Sequence, residues 1–169
     1  LTKSALQTCY AMAENVFAVT QSPLDGIPAV DEIDRETFMT QRLATPPVAG
    51  QPSMKMTSSG NPLPNTKVRV VDADFNDMPD RTVGEIAVQS DCMLTEYFNR
   101  PDATETAIKN GWYLTGDYGY IADGELYRFD VNHPETNGMI EYFVKPLGNV
   151  RSEITRSDIE AFGKQKGMG

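Results

Sequence analysis

The stretch "GWYLTGDYGYIADGELY", Gly111–Tyr127, decides how this 169-residue chain is read. Apolar and aromatic residues run up to Ala122-Asp123-Gly124 and resume after it. Asp-Gly between two such runs signals a tight antiparallel hairpin, because both turn positions must tolerate positive φ. Inside the first run stands Thr115-Gly116-Asp117, an acid after a glycine in what otherwise reads as strand. Burying a carboxylate is costly unless something donates to it. Two readings are open. Asp117 bonds its own backbone in a turn, or it accepts from a ligand, for which a ribose diol is a good donor pair.

Working outward, "TKVRVVDAD" and "GEIAVQS" have the β-branched, alternating character of strands, separated by the polar loop "FNDMPDRTV". A helix is expected from Pro101, since proline suits a first helical position, with Asn110-Gly111 ending it. Further upstream "TCYAMAENVFAVTQ" is dense in apolar residues and reads as one mostly buried strand. "SPLDGIP" is a turn cluster and "TPPVAGQPS" a loop. Asp34 is placed to cap a short helix three residues ahead of Thr37. The expected fold class is α+β and β-rich, a distorted β-barrel with two small helices over residues 1–129. After Phe129 the character changes. Residues 130–138 read as a polar linker. Residues 139–169 hold a short strand, "MIEYFVKP", and a short helix with Ser157 and Glu160 at capping-box spacing.

The net charge of -9 and the lack of a basic stripe argue against nucleic acid and against an anionic membrane surface. No apolar run approaches the roughly 20 residues of a membrane helix. Cys9 and Cys92 are expected to be buried free thiols, and the chain reads as cytoplasmic. Leu1 in place of a starting Met suggests a processed product or a fragment. "TSSGNPLP", Thr57–Pro64, has the look of a phosphate loop but lacks a lysine, and Pro62 and Pro64 bar the helix that should follow. His133 is the single histidine and has no partners for a metal site.

Four stretches carry a family resemblance, in order along the chain. "YAMAE" (10–14) resembles a YGxTE motif. "SSGNPLPNTKVRVVD" (58–72) and "GEIAVQSDCMLTEYFNRPDATETA" (84–107) resemble the strand segments that follow it, and "GWYLTGDYGYIADGELY" resembles the late core motif. The family is that of the adenylate-forming, AMP-binding enzymes: acyl- and aryl-CoA synthetases, luciferases and peptide-synthetase adenylation domains. "GIPAVDEIDRETFMTQRLATPPVAG" (26–50) and the "MAE" further resemble the fatty-acyl-AMP ligases, which pass the acyl group to a carrier-protein thiol.

The resemblance implies that residues 1–129 are a β-rich subdomain of the family's N-terminal domain. Residues 130–138 would be its hinge and 139–169 the start of its small C-terminal domain. It implies ATP and magnesium, a carboxylic acid substrate, a fatty acid on the fatty-acyl-AMP ligase resemblance, and coenzyme A or an acyl-carrier thiol as acceptor. Tyr10 would stack on or line the adenine, Asp117 would hold the ribose hydroxyls, Arg128 would reach the ribose, and Glu14 would help bind the metal. The family's phosphate loop and its adenylating lysine are not in this sequence. No catalytic residue is therefore assigned, and the chain is expected to be inactive without the remainder of the same enzyme. The chain also departs from the pattern. Ala11 and Ala13 replace the motif's Gly and its phosphate-contacting Thr, Glu96 replaces a Gly, and the hinge motif after "GELY" is eroded, with Arg128 and Asp130 its only candidate relics. These departures leave an alternative, a non-catalytic binding or scaffold module on the same fold.

Overall fold

The computed structural model describes residues 5–130. The expected linker, C-terminal strand and helix, Ser157, Glu160 and His133 lie outside the described residues. The described chain is β-rich, as its sequence reads. In order it forms β1 (Cys9–Ala11), β2 (Ala18–Gln21), β3 (Val30–Asp34), α1 (Arg35–Gln41), β4 (Ser53–Thr57), β5 (Asn61–Pro62) and β6 (Thr66–Val71). Then follow β7 (Gly84–Ser90), α2 (Pro101–Ala107), β8 (Ile108–Lys109), β9 (Trp112–Ala122) and β10 (Glu125–Phe129).

Every strand pair is antiparallel. The main sheet runs β10-β9-β7-β6, with β8 on β9. β1-β2-β5 and β3-β4 make two smaller sheets, and together the three form a distorted half-barrel. Strand alternation divides the core. Tyr120, Ala122, Tyr127 and Phe129 point to one face of the main sheet and pack with Ile33, Phe38 and Met56 of β3, α1 and β4. Ile86, Val88 and Leu126 point to the other face and pack with Tyr10 and Val19 of β1 and β2. The main sheet is thus buried on both faces, which is why its strands read as nearly continuous apolar runs.

Local signals explain the ends. Asp34 caps α1, its carboxylate accepting from the Thr37 N–H at 2.8 Å, and those donor bonds hold the carboxyl below the usual range. Pro101 opens α2. Asp123 and Gly124, at φ 53° and 80°, close the expected β9–β10 hairpin, in which Ala122 pairs with Glu125. Near the α1 layer, Tyr120 donates to Asp31 at 2.9 Å and Arg81 grips the same carboxylate at 3.0 Å, fastening β3 to β9. Burial, and then the Asp31 charge, push the Tyr120 phenol well above its ordinary value, so it stays a donor. Tyr120→Phe removes one donor from a mostly buried carboxylate and is expected to cost about 1–2 kcal/mol in a denaturant titration.

Three expectations are corrected. "TCYAMAENVFAVTQ" is not one buried strand. β1 and β2 fold back on each other through a short 3-10 turn, Ala13–Asn15, and Val16 and Phe17 are exposed. The Asn15 side chain donates to the Ala18 carbonyl at 3.0 Å and fixes the reversal. Asn110-Gly111 does not end the helix. α2 stops at Ala107, and Asn110 and Gly111, both at positive φ, turn β8 into β9. Cys9 and Cys92 are free but exposed. Strand alternation turns Tyr10 inward and Cys9 outward.

Candidate functional site

The β7–β9 pairing is interrupted at one place. Between the pairs Glu85–Tyr118 and Ala87–Leu114, β7 has only Ile86, while β9 has Thr115, Gly116 and Asp117. This is a bulge. Gly116 takes φ 73°, a backbone geometry that suits glycine. The bulge is pinned from both sides. The Thr115 hydroxyl donates to the Ile86 carbonyl at 2.8 Å, and the Gly116 N–H donates to Glu85 Oε1 at 2.9 Å. The Asp117 N–H in turn donates to the Thr115 hydroxyl at 3.1 Å. Asp117 is thereby aimed off the pleat, its side chain 32% exposed.

Three of the residues singled out in the sequence meet there. The Tyr10 hydroxyl donates to Asp117 Oδ2 at 2.7 Å, and Arg128 Nη2 donates to Oδ1 at 2.8 Å. Tyr10 and Asp117 lie 107 residues apart. The turn reading of Asp117 is not what the structure shows, since its carboxylate faces Tyr10 and Arg128. Tyr10 is 6% exposed and its ring packs with Val19, Ile86, Val88 and Leu126. Its phenol is pushed far above the ordinary tyrosine value, first by burial and then by the bond to Asp117. It therefore stays protonated and donates at any working pH. Asp117 likewise holds the Arg128 guanidinium above its ordinary value. A carboxylate offers about four lone-pair positions. With one donor on each oxygen, Asp117 keeps capacity for further hydroxyl donors on its exposed side.

Glu14 makes none of its hydrogen bonds with that trio. It sits in the 3-10 turn after β1, half-buried, and Oε1 accepts from the Tyr97 hydroxyl at 3.1 Å. Tyr97 and Tyr113 hydroxyls are 2.8 Å apart. Burial, the Tyr97 bond and the Glu14 charge, in that order, raise the Tyr113 phenol far above its usual value. The two clusters share the same two elements. Tyr10 and Glu14 lie on the β1 strand and its turn, and Asp117 and Tyr113 on β9, so the 10–14 segment runs along 113–117. Sequence reasoning missed Tyr97, Tyr113, Thr115 and Glu85. Gly116 within a strand was the one available signal for the bulge. Among the described residues no group of three or more His, Cys, Asp or Glu gathers as a metal cage. A single carboxylate such as Glu14 still suits magnesium, which keeps several waters and takes most other ligands from phosphates.

No family model matches the chain. An acyl-CoA ligase of Cochliobolus lunatus is 46% identical over 74 residues, covering 43% of this chain and 22% of the relative. A fatty acid–acyl-carrier-protein ligase of Streptomyces coeruleorubidus is 33% identical over 84 residues, covering 48% of this chain and 16% of the relative. The solved fatty acid AMP ligase of Legionella pneumophila matches with TM-score 0.69 and 27% identity, over 89% of this chain and 28% of that one. The chain belongs to the adenylate-forming superfamily. It spans less than a third of the length of each of these three proteins. Among the described residues no helix is long and apolar enough to cross a membrane.

Proposed function

We propose that this chain forms the nucleotide-holding edge of an ATP-dependent ligase that activates a carboxylic acid as an acyl-adenylate and passes it to a thiol. The observation that carries the reading is the bulge at Thr115-Gly116-Asp117, which lifts one partly exposed carboxylate between the neutral donor Tyr10 and the cation Arg128. In this reading Asp117 accepts the ribose hydroxyls. Arg128, 43% exposed, borders the same hydroxyls and neutralises the local charge. Glu14 supplies one hard oxygen to magnesium, which would neutralise the phosphates. Tyr10 lines the site through its hydroxyl edge and holds the carboxylate in position. The chain's part in the reaction is orientation of the nucleotide, so that an acid's carboxylate attacks the α-phosphorus in line.

A fatty acid is the preferred substrate, on the likeness to the Legionella ligase and on the long segment 26–50. The acceptor is coenzyme A or a carrier-protein thiol. Residues 130–138 and 139–169 are assigned to the hinge and to the start of the second domain. Because the sequence holds neither the phosphate loop nor the adenylating lysine, the 169-residue chain by itself is inactive. A ligase containing the chain should show acid-dependent exchange of labelled pyrophosphate into ATP with long-chain acids, and the chain alone none. No exchange by that ligase across a panel of acids would replace this reading with the scaffold one, which the alanines at 11 and 13 favour.

A further inference from the structure

Glu14 is held with more care than a surface acid needs. Its turn contains a strained residue. Val16 lies at φ 64°, ψ -50°, and the Phe17 N–H donates back to the Asn15 carbonyl at 2.6 Å. That is a γ-turn of the positive-φ kind, rare for any residue and costly for a β-branched one. Strain of this order persists only where surrounding contacts over-determine it. Here they do. The Met12 N–H donates to the Phe17 carbonyl at 2.8 Å, and the Leu94 N–H donates to the Glu14 carbonyl at 2.7 Å. Ser90 donates to the Asn15 side chain, which is itself buried. The backbone of Glu14 is fixed by segments on both sides of it and by the chain beyond β7.

The side chain is fixed as well, by a relay of two phenols. Tyr97 gives its proton to Glu14 Oε1, and the Tyr97 and Tyr113 hydroxyls stand 2.8 Å apart. The two phenols and the carboxylate form one hydrogen-bonded cluster, each bond polarising the next. Both ends are anchored. Tyr113 is 6% exposed on β9, and the Tyr97 N–H donates at 2.9 Å to Thr104 in the first turn of α2. Tyr113 also hydrogen-bonds the Glu14 carboxylate directly.

We propose that Tyr97, together with Tyr113, is a positioning residue for Glu14: the relay of two phenols holds the carboxylate in place for a divalent cation carried in with a nucleoside triphosphate. The inference rests on the metal role given to Glu14 above.

The test uses the full isotope-labelled chain, with ATP and manganese as the probe. Amide NMR reads paramagnetic broadening of residues 13–15 when manganese accompanies ATP, and shifts near Asp117 when ATP is added with a chelator. Wild type should broaden at 13–15. Glu14→Gln should lose that broadening. Tyr97→Phe should weaken it about three- to tenfold at matched concentrations, Tyr113→Phe less, and both should leave the metal-free shifts near Asp117 unchanged. Unchanged shifts also certify that the variants fold. If Glu14→Gln loses the broadening and Tyr97→Phe keeps it in full, the relay is wrong and the metal role stands. If Tyr97→Phe weakens the metal-dependent and metal-free signals alike, its role is only structural. If Glu14→Gln broadens like wild type, or wild type does not broaden, the metal role fails and the relay with it.

Discussion

Asp117→Ala is expected to lower acid-dependent pyrophosphate exchange by a hundredfold or more in a ligase containing this chain. A carboxylate accepting two ribose hydroxyls makes two charge-assisted bonds, each worth about 1.5–3 kcal/mol. Losing about 3 kcal/mol is already a hundredfold in rate. The same change orphans the buried Tyr10 hydroxyl and releases Arg128, which should destabilise the fold by about 1–3 kcal/mol. Asp117→Asn separates the two effects. It keeps an acceptor oxygen for Tyr10 and removes the charge. Exchange should still fall by at least tenfold while the denaturation midpoint stays close to that of wild type. Wild-type exchange in both variants would remove Asp117 from the nucleotide site.

Gly60→Ala should have the largest effect on stability. Gly60 lies at φ 92°, and an added Cβ would stand 2.0 Å from the Gln21 carbonyl carbon and 2.2 Å from the Ser22 nitrogen. Those are backbone atoms and cannot swing aside. The surrounding hydrogen bonds explain the close approach. The Gly60 carbonyl accepts from the Leu126 N–H at 3.0 Å, and the Ser59 N–H donates to the Leu126 carbonyl at 2.7 Å. The Thr20 hydroxyl donates to the Ser59 carbonyl at 2.7 Å. One glycine thus lets β2, β5 and β10 be stitched together. Forcing a clash with backbone there exceeds the usual range for point changes, and about 4 kcal/mol or more is expected. Far-ultraviolet circular dichroism of the purified chain should show loss of the cooperative unfolding transition. A wild-type transition would mean that the 58–62 segment does not sit as described. The "TSSGNPLP" stretch, which looks like a phosphate loop, has its glycine for this structural reason.

What could be read from the sequence followed from local chemistry. Asp123-Gly124 fixed the hairpin, Pro101 opened a helix, and Asp34 announced its cap, because each signal acts within a few residues. The turn at Ala13–Asn15 was hidden, since an unbroken apolar run does not say where the chain reverses. The run contains Val16 and Phe17, which the fold leaves exposed. The site divides in the same way. Tyr10, Glu14 and Asp117 were legible through motif resemblance. Their geometry was not, because Tyr10 reaches Asp117 across 107 residues and Tyr97 reaches Glu14 across 83. The bulge that aims Asp117 depends on the pairing partner, Ile86, which no local pattern around Gly116 reveals.

The most direct measurement is a binding cycle on the labelled chain: adenosine monophosphate against its dideoxyribose analogue, wild type against Asp117→Asn, with affinities from amide shifts. If Asp117 holds the ribose, removing both hydroxyls weakens binding to wild type by at least about tenfold and changes binding to the variant little, because the two losses describe one interaction. An equal loss in both proteins, or none in wild type, would contradict the assignment.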